Sequence, residues 1–139
     1  MSSATAGREL IHRYYLAFNR ADWAGMLDML AEDVIHDLNQ GAREIGRARF
    51  ESFLQRMRRC YLEVLSDIEI MVSANGQRAA AEYVVSGQYL STDEGLPAAS
   101  GQRYRLAGGA FFEIRDGAIQ RVSNYYNLQD WLRQINDRD

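Results

Sequence analysis

Val34-Ile35-His36-Asp37-Leu38-Asn39-Gln40-Gly41 reads as a short apolar strand that ends in a knot of polar side chains. β-Branched residues favour a pleated, half-buried surface, and an ionisable pair closing such a strand belongs near the rim of the core, where its charge can still be solvated. The rim of a core is where a pocket opens. What closes around this strand therefore decides the fold.

On its N-terminal side, Leu10, Ile11, Tyr14 and Phe18 recur at helical spacing, with Arg8, Glu9, His12, Arg13 and Asn19 opposite them, which predicts an amphipathic helix. Asp22 is placed as the N-cap of a second helix whose Trp23, Met26, Leu27 and Leu30 share one face. Beyond a turn region from Gly41 to Gly46, the stripe Phe50, Phe53, Leu54, Met57 and Tyr61 predicts a third helix running to about Glu63. Three helices thus surround one strand.

From Leu65 the period changes from 3.6 to 2, with Ile68, Ile70 and Val72 alternating with Asp67, Glu69 and Met71 up to Asn75-Gly76, a dipeptide suited to a two-residue hairpin turn. The return strand, Arg78 to Leu90, carries Ala79, Ala81, Tyr83, Val85 and Tyr89 on one face and Glu82, Val84, Ser86 and Gln88 on the other. Ser91 to Gly101 holds the only proline, Pro97, and reads as a long exposed loop able to act as a lid. Strand four, Gln102 to Arg115, contains Gly108-Gly109, which suggests a bulge or sharp bend. Asp116-Gly117 marks a tight hairpin, and the last strand, Ala118 to Leu128, leads into a short helix with Trp131, Leu132 and Ile135. The expected architecture is α+β: a strongly bent antiparallel sheet forming a cone-shaped barrel, covered by three N-terminal helices and joined by a short C-terminal helix. Such a layout leaves a cavity between sheet and helices, a natural small-molecule site.

Composition limits what could occupy it. At 139 residues and 47% apolar, the chain is expected to form one domain over residues 1–139 with a sizeable core. A formal charge of −3 with interspersed signs excludes a nucleic-acid surface, and the cluster Arg43, Arg47, Arg49, Arg56, Arg58 and Arg59 is flanked by acids and reads as a solvated helix face. No window approaches the ~20 apolar residues of a membrane span, nor an N-terminal signal core, so no membrane is expected and the cytoplasm is the expected compartment. Cys60 is alone, and His12 and His36 make no ligand motif, so neither a disulfide, a metal nor another cofactor is expected.

Arg13-Tyr14-Tyr15-Leu16-Ala17-Phe18-Asn19-Arg20-Ala21-Asp22, the Ala31-Glu32-Asp33-Val34 approach to the key strand, and the Asp116-Gly117-Ala118-Ile119 hairpin resemble the nuclear-transport-factor-2-like superfamily, and within it ketosteroid-isomerase-related and SnoaL-like proteins. The resemblance covers nearly the whole chain, and it identifies a fold more sharply than a reaction. It implies that Asp37 matches the proton-shuttling carboxylate of ketosteroid isomerases and Tyr14 the tyrosine that hydrogen-bonds the developing enolate. Their second, protonated aspartate has no counterpart, since that region reads Ala107-Gly108-Gly109-Ala110. The SnoaL-like cyclases carry an acid/base aspartate near the end of the last strand, a place taken here by Asn127, whose amide cannot accept a proton at neutral pH.

The remaining candidates follow from position. His36 and Asp37 are neighbours on a strand, so only one aims inward. Asn127 and Tyr125 share one face of the last strand with Ser123 and Arg121, Val122, Asn124 and Tyr126 the other, and periodicity does not choose between the two. Glu82, an acid in mid-strand, supplies a second carboxylate if it faces the cavity. Phe53, Met57 and Trp131 are core residues able to line it. The reading is a protein binding a small apolar carbonyl compound, either as a cofactor-free isomerase or cyclase using Asp37 and Tyr14, or as a noncatalytic binding module. The outer sheet face, expected to expose Tyr83, Val85 and Tyr89, would be covered by a second copy in a homodimer, as is common in the superfamily.

Overall fold

The computed structural model describes residues 2–136. Helix α1 (Ser3–Asn19) is started by the Ser2 side chain accepting from the Thr5 N–H, and the short α2 (Trp23–Asp28) by Asp22 accepting from Gly25. Strand β1 (Leu30–Asp37) follows, then β2 (Arg43–Ile45), α3 (Arg47–Cys60), β3 (Tyr61–Val72), β4 (Arg78–Tyr89), β5 (Arg103–Arg115), β6 (Ala118–Tyr126) and α4 (Leu128–Asn136). The six strands form one strongly curved sheet in the order β2-β1-β6-β5-β4-β3. The helices cover its concave side, and between them lies a core rich in aromatic rings, including Tyr14, Tyr15, Phe50, Tyr89, Phe112 and Trp131.

Several local expectations needed correction. The sheet is not wholly antiparallel: β1 pairs in parallel with β6, setting His36 beside Val122 and Asp37 beside Ser123. The Gly41 to Gly46 region is more than a turn, because Arg43, Glu44 and Ile45 pair antiparallel with β1 as β2. Helix α3 stops at Cys60, three residues short of the expected end, and Tyr61 begins a strand by pairing with Tyr89, their rings stacked at 5.4 Å.

The two predicted hairpins differ. Asp116-Gly117 is the two-residue turn expected, both residues having positive φ (55° and 74°) as its geometry requires. The Asn75-Gly76 turn is longer, spanning Ser73 to Gln77, and Gly76 (φ 73°) is buried against the first turn of α1, where the Ser3 carbonyl leaves no room for a Cβ. Gly108-Gly109 causes no bulge, since the β4–β5 register runs unbroken through it. Gly108 instead makes room for the Tyr83 ring, one of whose carbons lies 2.7 Å from where a Cβ would stand. The irregularities lie elsewhere, between Ser66 and Glu69 of β3, where Asp67 has φ 53°, and between Glu113 and Ile114 of β5.

β3 is an edge strand, and an uncovered edge invites pairing with other chains. Asn19 at the end of α1 blunts it: its amide donates to the Leu65 carbonyl and accepts from the Leu65 N–H, both at 2.9 Å. This ties α1 to β3 just before the bulge. Tyr83, Val85 and Tyr89 face the concave side, with Tyr89 fully buried, so the expected exposed patch is not theirs. The outer face instead exposes Leu62, Val64, Met71, Phe111 and Tyr125.

Candidate functional site

The concave side encloses a cavity of about 350 Å³. Strand phase decides what enters it. On β6 the inward residues are Val122, Asn124 and Tyr126, in register with Phe112, Ala110 and Gly108 of β5. The parallel β1–β6 pairing carries that phase to His36, which is fully buried and receives a 3.1 Å hydrogen bond at Nε2 from the Asn124 amide. Phe50 and Phe53 of α3 flank the imidazole, each ring centroid 4.5 Å away. Burial in this apolar surround lowers the His36 pKa to about 4, with Asp37 opposing the shift and Arg56 reinforcing it, so the ring is neutral at pH 7.

A second polar group sits on the far strands. Glu63, Gly87 and Tyr104 stand in one row across β3, β4 and β5. Because Gly87 has no side chain, the Tyr104 ring lies across β4 and its hydroxyl donates to Glu63 Oε2 at 2.5 Å. Glu63 lines the cavity, and among the described residues no basic group lies within salt-bridge reach of it. Desolvation raises its pKa, the Tyr104 hydrogen bond pulling the other way, while Tyr104 itself is held well above the ordinary phenol range.

The third group belongs to the loop between β4 and β5. Asp93 is buried, accepts a 2.7 Å hydrogen bond from the Tyr61 hydroxyl and lies 3.5 Å from Arg56 Nε, whose guanidinium packs over Phe53. Tyr89 fastens the loop from below, its hydroxyl donating to the Pro97 carbonyl and accepting from the Asp93 N–H. The loop expected to be a lid is thus pinned at the cavity by its own acid.

Of the predicted residues, Tyr14, His36, Phe53, Met57 and Trp131 line the cavity. Tyr14 is buried edge-on to Tyr15 and Phe112, and burial raises its pKa far above that of a free phenol. Asp37 does not join them. It points to the convex side, in a two-pronged ion pair with Arg43 (2.7 and 3.1 Å) and accepting from Ser123 at 2.6 Å, contacts that hold its pKa below the usual value. A half-buried, paired carboxylate outside the cavity cannot reach a ligand within it. Glu82 is exposed on the outer face opposite Glu69 and Gly109, and Tyr125 is exposed there beside Phe111. Asn127 is exposed and caps α4, accepting from the Asp130 N–H at 3.1 Å.

Glu63, Tyr104, Asp93, Asn124 and Tyr15 were not anticipated. Two signals pointed to the first pair: extending the period of Leu65 backwards puts Glu63 and Tyr61 on its face, and Gly87 within a strand is a mark of close approach by another group. Among the described residues no cluster of three or more His, Cys, Asp or Glu is placed to hold a metal ion, and no helix is long and apolar enough to cross a membrane.

These features define a cone-shaped α+β protein whose polar side chains converge on an interior cavity walled by aromatic rings. Residues 11–122 match the SnoaL-like domain, and the chain belongs to that family, within the nuclear-transport-factor-2-like superfamily. It is similar to a "putative polyketide cyclase" of Xanthomonas campestris pv. campestris, with 60% identity, a TM-score of 0.93, and coverage of 96% of this chain and 99% of that one. A "putative polyketide cyclase" of Pseudomonas putida KT2440 is 55% identical (TM-score 0.92, 97% and 98% covered). A "putative ketosteroid isomerase" of Kribbella flavida is 26% identical (TM-score 0.65, 91% and 82% covered). No curated protein matches the chain.

Proposed function

We propose that the cavity binds a small carbonyl compound and that the chain catalyses a cofactor-free proton transfer beside the carbonyl, an isomerisation or an aldol-type cyclisation. The observation that carries this is Glu63: a carboxyl on the cavity wall, free of any basic partner among the described residues, its pKa raised by desolvation. A carboxylate so placed is a stronger base than one in water, and Tyr104 fixes its orientation. Glu63 takes the α-proton, while neutral donors on the wall stabilise the oxygen that becomes negative. Tyr14 and the Asn124 amide, which keeps a second N–H beside the one given to His36, are available for that task. The names of the Xanthomonas, Pseudomonas and Kribbella proteins support chemistry of this class.

The test follows α-hydrogen exchange of 2-tetralone in deuterated buffer by proton NMR. Glu63→Gln should lower the protein-dependent rate by about 10²–10⁴-fold while leaving ketone affinity nearly intact, and Asp37→Asn should leave the rate unchanged. A wild-type rate no faster than that of Glu63→Gln would reduce the chain to a binding module.

The outer face favours one addition, a second copy of the chain. Leu62, Val64, Phe111 and Tyr125 are each half exposed or more on the convex sheet, an apolar surface that a homodimer would cover.

A further inference from the structure

Helix α3 carries a polar stripe that the interior cavity does not account for. Arg49, Ser52 and Arg56 follow one another at intervals of three and four residues, so they share one face, with the two arginines roughly 10 Å apart along the axis. The helix does not neutralise that face itself. Three and four positions from either arginine stand Ile45, Gly46, Ser52, Phe53, Arg59 and Cys60, none of them acidic. Glu51, the one acid of α3, is two residues from Arg49 and lies off this face.

Beside the stripe the surface is hollowed into a groove of about 340 Å³, lined by Arg49, Ser52, Arg56, Ala48, Phe53 and, from β2, Glu44. It lies outside the cavity and shares with it only Phe53 and Arg56. Its donors are largely uncommitted. Among the described residues Arg49 is in no ion pair or hydrogen bond, and Arg56 has only the 3.5 Å approach of its Nε to Asp93, so the outer nitrogens of both guanidinium groups are unpaired. The Phe53 ring beneath it holds the Arg56 guanidinium in place. Ser52 spends its proton on a long 3.3 Å bond to the Ala48 carbonyl one turn back, which a charged acceptor would displace.

Two guanidinium groups and a hydroxyl opening on one groove suit an oxyanion, and their number narrows the class. A single arginine fork satisfies a carboxylate, whereas three donors spread over two turns match the three oxygens of a terminal phosphate. The groove has more room than the phosphate alone takes, and Ala48 and the Phe53 ring give the remainder an apolar wall. The geometry points to a phosphomonoester site in this groove, outside the cavity and independent of the reaction proposed for it. Arg49, Ser52 and Arg56 hold the phosphate, Ala48 and Phe53 receive the organic part, and Glu44 is the acid whose charge opposes binding.

Proton–nitrogen NMR titration of the isotope-labelled chain at low salt tests this with phenyl phosphate, inorganic phosphate and benzoate, at about pH 7.5, where a phosphomonoester is doubly charged. Phenyl phosphate should shift the arginine Nε–H signals of Arg49 and Arg56 and the Ser52 amide together, saturating with a Kd on the order of 1 mM. Inorganic phosphate should bind severalfold more weakly, and benzoate about tenfold more weakly. Arg49→Ala changes an exposed residue that does not line the cavity, so folding should not suffer, and it should weaken phenyl phosphate about tenfold. Glu44→Gln should tighten binding severalfold, and Arg58→Ala, exposed on the same helix but outside the groove, should change it less than about twofold. Equal losses in Arg49→Ala and Arg58→Ala would reduce the effect to general screening and overturn the inference. Benzoate binding as tightly as phenyl phosphate would overturn it too, as would shifts at the Trp131 indole without any at Arg49, which would put the ester in the cavity.

Discussion

Gly87→Ala isolates the device that builds the Glu63 site. A Cβ at residue 87 would lie 2.5 Å from both Cε2 and Oη of Tyr104, closer than any stable contact, so the tyrosine must leave its place over β4. Overpacking of this kind costs about 1–3 kcal/mol, and stranding the part-buried Glu63 carboxyl without its donor adds about 1–3 kcal/mol. Against this stands a gain of about 0.4–1 kcal/mol, because residue 87 has no positive φ and alanine restricts the unfolded chain more than glycine. The net expectation is a loss of roughly 2–4 kcal/mol, which lowers the urea midpoint by roughly 1–2 M at an unchanged slope. The decisive arm is the same substitution in a Tyr104→Ala background. There the obstruction is gone, only the backbone term remains, and Gly87→Ala should be neutral or stabilising. Tyr104→Phe separates the two costs, since it keeps the ring in the way of the methyl group but has no hydroxyl to lose. If Gly87→Ala cost as much in the Tyr104→Ala background as in the wild type, the ring would not be what the glycine admits and the reasoning would fail.

The remaining expectations concern pH and assembly. His36 has a folded pKa of about 4 against an ordinary value of 6.5, so between those values the unfolded chain holds a proton that the native one does not, and stability falls as pH drops from 6.5 towards 4. The loss amounts to roughly 3 kcal/mol, and urea unfolding at pH 7, 5.5 and 4.5 should show it in the wild type but not in His36→Gln; parallel profiles would refute it. For assembly, sedimentation should give twice the 15.9 kDa chain mass, and Phe111→Arg on the convex face should return it to one.

The fold was largely legible because its determinants are local. The apolar stripes of α1 and α2, the Asp22 cap, the alternation of β3 and β4 and the Asp116-Gly117 turn each announce themselves within a few residues. The site was less legible because its determinants are pairings across the sheet. Tyr61 fits a helical period counted from Phe50, Phe53, Leu54 and Met57 as well as a strand period counted from Leu65. The choice is made by Tyr89, twenty-eight positions away, whose ring stacks on that of Tyr61. Reading Tyr61 as helical carried Glu63 with it and hid an acid of the cavity wall that lacks a basic partner among the described residues. The same holds for the key strand. Alternation dictates that His36 and Asp37 face opposite ways, but nothing within the strand says which is inside. The parallel partner β6 says it, by aligning His36 with the buried Val122, and β2 completes the assignment by bringing Arg43 to Asp37 on the outer side. A resemblance that places a carboxylate on this strand cannot supply that phase, because one residue of slip exchanges the two faces. Where a strand ends in two adjacent ionisable residues, its neighbours in the sheet, not its own sequence, assign the chemistry.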